Sequence, residues 1–63
     1  MTIGNRIRAE RKSQYLTLQD IQDKTGLSKS TISAIERDIG NPTLNTITKV
    51  AKALGMNIQE LMK

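Results

Sequence analysis

Lys29, Ser30, Ser33, Ala34 and Arg37 fall at offsets i, i+1, i+4, i+5 and i+8 of the run SKSTISAIER. On a helix those offsets share one side, and Ile32 and Ile35, at i and i+3, point to the other. The shared side is small, polar or basic and carries no acid. Lysine donates to guanine O6 and N7, serine donates or accepts at several base edges, and alanine packs on a thymine methyl. A helix with this face enters a DNA major groove without clash or charge repulsion. Plainer readings stand beside these. Lys29 also suits a phosphate contact or a solvated charge, and Ala34 an incidental helix former.

These residues need a scaffold to aim them. Thr17 reads as the N-cap of a helix over 18–25, in which Leu18, Ile21 and Thr25 keep helical spacing. Gly26 ends it, since glycine takes a left-handed C′ conformation at no steric cost. Leu27 plugs the turn, and Ser28 caps a second helix over 29–37. A first helix is expected over 3–13 behind Thr2, with Ile3, Ile7 and Arg11 on one stripe. Beyond Arg37 come the turn formers of 38–41 around one apolar anchor, Ile39, then Pro42 and a cap at Thr43. A helix over 44–54 places Leu44, Ile47, Val50, Ala51 and Leu54 on its inner face. Gly55 stops it, and Asn57 caps a last helix over 58–63 with Ile58, Leu61 and Met62 as its apolar residues. No period-two run persists, so the class is all-α: five short helices in one domain, 1–63.

The pattern resembles the lambda-repressor-like (Cro/CI, Xre-type) helix-turn-helix family. Gly26, Leu27, SKSTIS, Glu36-Arg37, Asn41-Pro42-Thr43-Leu44 and KVAKALGM carry the resemblance, which runs from Ile3 to Leu61. Gln22 stands where the family usually has Ala, Asp38 where Gly commonly follows the Glu-Arg pair, and Leu18 where Gln is frequent. The resemblance implies a compact five-helix domain that binds duplex DNA, usually as a homodimer. It makes Lys29 and Ser30 the main base-reading positions, with Ser33 and Ala34 one turn later. It also implies that Arg37, the loop from Asn41 to Thr43, and Thr46 meet the sugar-phosphate backbone; Asn41 reads equally well as a turn residue.

Other backbone contacts follow from helix termini, whose free amides attract anions. Ser28 and Thr17 are candidates on that ground, and Thr31 is a further one unless its hydroxyl is simply solvated. Arg11 lies on the buried stripe of the first helix, and Glu36 follows Ile35. A lone buried charge is severely unfavourable. The family often pairs these two positions, which implies an ion pair tying the first helix to the reading head. Asp20 and Asp23, three apart, read as an exposed helix face, and Glu60 as isolated.

Composition excludes much else. Sixty-three residues make one domain at most. With no cysteine and no histidine, thiolate or imidazole metal sites and the usual nucleophile–base sets are absent. No cofactor, metal or small-molecule ligand is evident, and an enzyme is not expected. The formal charge is +4, and seven of the ten Lys/Arg residues lie at or before Arg37. That bias suits an anionic partner. No apolar run approaches a membrane span and no signal-peptide core is present, so a cytoplasmic protein is expected. A transcriptional repressor is the first functional expectation. The alternative is an antitoxin or protein-interaction module on the same fold, whose mark would be a large apolar patch; Ile39, Met56 and Met62 are the residues on offer.

Overall fold

The computed structural model describes residues 2–62. Five helices follow one another: α1 (Ile3–Ser13), α2 (Leu18–Thr25), α3 (Lys29–Glu36), α4 (Leu44–Ala53) and α5 (Ile58–Leu61), with no strand among the described residues. Each begins in the same way. Thr2, Thr17, Ser28, Thr43 and Asn57 hold extended backbone, and their side chains accept a hydrogen bond from the amide three residues on. Such caps satisfy an amide that the helix itself leaves unpaired. Asp20 and Glu60 complete two of them as capping boxes, their carboxylates accepting from the Thr17 and Asn57 amides. Both acids therefore have a structural task, beyond the solvated charges read from the sequence.

The core is aliphatic. Ile7, Ile21, Ile32, Ile35, Ile47, Val50, Ala51, Leu54 and Leu61 are buried, and Ile3, Leu16, Leu18, Leu27, Met56 and Ile58 pack around them. Helix α3 lies against α1 and α2, α4 against α2 and α5, and α5 returns to α1. Gln14 joins the end of α1 to the end of α4 by donating to the Leu54 carbonyl at 2.7 Å.

Several expected positions differ. Leu44 is 66% exposed. At about 100° per residue it stands at the edge of the stripe set by Ile47, Val50, Ala51 and Leu54, and as the first residue of α4 it overhangs the core. Ile39, expected to anchor its loop, is 51% exposed, and Met62 is 64% exposed. Leu61 takes the inward place instead, three residues after Ile58. Arg37, Leu54 and Met62 are C-caps, so α3, α4 and α5 stop at Glu36, Ala53 and Leu61 instead of 37, 54 and 63. Lys63 lies outside the described residues.

Candidate nucleic-acid interface

The link between α2 and α3 is short and well bonded. Gly26 takes φ +79°, and its amide donates to the Gln22 carbonyl at 2.8 Å. Thr25 reinforces the corner: its hydroxyl donates to the Ile21 carbonyl at 2.7 Å and accepts from the Leu27 amide at 3.1 Å. Leu27 is half-buried against the core. The chain therefore leaves α2 in one direction only, and α3 starts where Ser28 caps it.

On α3 the core side holds Ile32, Ile35 and Glu36. The opposite side brings Lys29, Ser30, Ser33, Ala34 and Arg37 together. Lys29, Ser30 and Arg37 are exposed, and Ser33 and Ala34 half-exposed. No ion pair engages Lys29 or Arg37 among the described residues. The first turn of α3 thus presents an unpaired ammonium and a free hydroxyl on a face without acids.

The hydroxyl residues at helix starts form a repeated device. Ser28 Oγ accepts from the Thr31 amide at 3.1 Å and lies 2.9 Å from Thr31 Oγ1. Thr43 Oγ1 accepts from the Thr46 amide at 3.2 Å and lies 3.0 Å from Thr46 Oγ1. In such a pair one hydroxyl donates to the other, and the second keeps its proton for an outside acceptor. Each start therefore offers one outward O–H next to helix amides, a fitting arrangement for a phosphate oxygen. Thr17 differs, because its cap is shared with the Asp20 carboxylate, which accepts from the Thr17 amide at 2.7 Å. That bond, first, and the hydroxyl bond of Thr17 hold the Asp20 carboxyl below the usual carboxylate range. The acid stays charged at the start of α2. Asn41 is exposed in the loop before α4.

The far end of α3 is locked to α1. Arg11 Nε donates to Glu36 Oε2 at 2.6 Å, Arg11 Nη2 to Glu36 Oε1 at 3.0 Å, and Arg11 Nη1 to the Leu16 carbonyl at 2.9 Å. The Glu36 side chain is 5% exposed and that of Arg11 11%. The hydrogen bond that Arg11 donates to Glu36 raises the Arg11 pKa, so the guanidinium stays charged although burial opposes it. Two further contacts were not read from the sequence. Asp38 takes a left-handed backbone, φ +57°, and its carboxylate accepts from Thr2 Oγ1 at 2.6 Å and from the Gly4 amide at 3.2 Å. Aspartate tolerates that conformation better than most residues, which is how it fills a place that glycine often holds. Gly4 is buried where α1 meets the end of α3. A Cβ there would strike the Ile35 carbonyl and stand 2.9 Å from the Glu36 carbonyl. The Thr-Ile-Gly start of α1 was the available sequence signal, but only the tertiary contact gives it meaning.

Three helices packed together, with a glycine corner that aims an exposed, acid-free face of α3, define a helix-turn-helix domain. A helix-turn-helix family model matches residues 7–61, and the chain belongs to that family. It is 44% identical over 62 residues to the immunity repressor protein of Bacillus phage phi105, covering 98% of this chain and 43% of the relative. It is 34% identical over 61 residues to the HTH-type transcriptional regulator SinR of Bacillus subtilis (strain 168), covering 95% of this chain and 55% of SinR. The chain thus spans about half the length of these relatives. Among solved structures, the crystal structure of SinR, master regulator for biofilm formation, in complex with DNA matches with a TM-score of 0.87 at 33% identity, covering 98% of this chain and all of that one. No helix among the described residues is long and apolar enough to cross a membrane.

Proposed function

We propose that the chain is the DNA-binding unit of a sequence-specific transcriptional regulator, a repressor, and that α3 docks in the major groove of duplex DNA. The observation that carries this reading is the first turn of α3, where Lys29 and Ser30 stand exposed on a face free of acids. Lys29, Ser30, Ser33 and Ala34 contact base edges. Thr17, Ser28, Thr31, Arg37, Asn41, Thr43 and Thr46 hold phosphates and fix register. The names of the relatives, an immunity repressor and a regulator solved with DNA, support the same reading. Nothing in it calls on catalysis: the unit binds and does not turn over a substrate, and its work lies in the cytoplasm.

One unit reads only a few base pairs, so the regulator acts as a homodimer on half-sites whose centres lie about 34 Å apart. The loop before α4 and the α5 end are the surfaces for that contact. An apolar recess of about 230 Å³, lined in part by Ile3, Ile35, Ile39, Pro42 and Ile47, supports the loop's share.

Selection of bound sites from a random duplex pool, followed by titration at 50 and 200 mM salt, tests the proposal. A single enriched motif is expected, with affinity falling roughly a hundred-fold over that range if about four phosphates are neutralised. No salt-sensitive binding to any duplex would overturn it and favour a protein-interaction module, to which Ile39, Leu44 and Met62 would offer exposed apolar contacts.

A further inference from the structure

We infer that the recess where α1, α2 and α3 meet is a phosphodiester-binding site gripped by Arg8 and Arg37, which makes α1 a third helix of the DNA interface. The inference rests on the DNA-binding reading above and adds to it an exposed residue of α1, Arg8.

The recess has a volume of about 200 Å³ and is lined by Arg8, Arg11, Leu18, Ser33, Glu36 and Arg37. Two of its charges cancel, because Arg11 and Glu36 are bonded to each other. Arg8 and Arg37 are both exposed, and neither has an ion-pair partner among the described residues. The recess therefore carries two uncompensated guanidiniums supplied by different helices. A guanidinium fork matches the paired oxygens of a phosphate, and two forks meeting from separate elements select an anion over a neutral group.

The remaining lining fits the same ligand. Leu18 opens α2, and capping engages only the Thr17 and Asp20 amides, so the Leu18 and Gln19 amides find no acceptor among the described residues. The nearest acid at that helix start, Asp20, has its carboxylate turned to the Thr17 amide. Glu10, two residues beyond Arg8, accepts from Gln14 Nε2 at 3.1 Å. Ser33 and Arg37 also belong to the exposed face of α3. A duplex seated on that face brings its backbone past the recess, and Arg8 meets it from the α1 side.

The test compares the parent chain with Arg8→Ala on the selected duplex and on an unrelated duplex across a salt series. Thermal melting by circular dichroism confirms that the exposed substitution leaves the fold in place, and Arg8→Gln, which keeps most of the stem, serves as a second variant. The expected result is a slope of log affinity against log salt that flattens by about one for both variants. Affinity falls several-fold on both duplexes, the preference between them is unchanged, and Arg8→Lys recovers most of the slope. An unchanged slope in Arg8→Ala, with the parent chain still salt-dependent, overturns the inference and leaves the DNA-binding reading standing. A parent chain without salt-dependent binding overturns both.

Discussion

The two ends of α3 are built differently. At its C-terminal end, Glu36 is buried and bidentately paired with Arg11, Asp38 bonds the start of α1, and Gly4 lets the α1 backbone approach the Ile35 and Glu36 carbonyls. At its N-terminal end, Lys29 and Ser30 are exposed, and the Ser28 cap with the Gly26 corner sets only where the helix begins. The contrast separates two tasks. Fixed, desolvated contacts at one end set the direction of the helix. Free donors at the other remain available to an outside surface. Helix α3 thus takes its orientation from α1, which supplies most of the clasp without lying beside it in sequence.

Substitutions at the two ends should separate stability from affinity. The largest effect is expected for Glu36→Ala, which leaves the Arg11 guanidinium buried without its carboxylate. A loss of about 3–5 kcal/mol in denaturant unfolding is expected. The double change Arg11→Met with Glu36→Leu should recover most of that stability and still weaken binding to the preferred duplex, because the directional bond is gone. Gly4→Ala forces α1 away from two carbonyls and is expected to cost about 1–3 kcal/mol in the same measurement. Lys29→Ala, at the open end, should change unfolding by less than about 0.5 kcal/mol. It should cost about 1–3 kcal/mol on the preferred duplex and less on random DNA, measured by fluorescence titration. Equal losses on both duplexes would make Lys29 a phosphate contact and move base reading elsewhere on the face.

The smallest effect is a pH dependence at the start of α2. Asp20 has its pKa lowered by the Thr17 bonds. A carboxyl whose folded pKa is depressed adds stability above its unfolded value, about 3.9, and loses it as pH falls through the lower folded value. Acid unfolding of Asp20→Asn should therefore show a shallower decline below about pH 4 than the parent chain. Matching curves would mean that the capping box adds nothing.

How much of this was legible in the sequence depends on the range of each signal. Caps are local: a Thr, Ser or Asn followed by a helical pattern located all five helix starts, and Gly26 located the corner. The two capping boxes were readable at the same range, since Asp20 and Glu60 stand three residues after their caps, but Asp20 was read with Asp23 as an exposed helix face and Glu60 as isolated. Leu44 was misplaced because periodicity gives the angle around a helix and not the depth of its first turn. The contacts of Gly4 and Asp38 were invisible, since they exist only once α1 crosses the end of α3. The exposed face of α3 was legible because its composition, small and basic with no acid, is itself local.

The most direct test of the central claim is an amide-resolved NMR titration of the chain with its selected duplex. The expected result is that the largest shifts cluster at Ser28 to Ala34 and at the Thr43 helix start. Shifts concentrated on Lys24, Lys49 and Lys52, with the first turn of α3 unmoved, would contradict the assignment of that face to DNA.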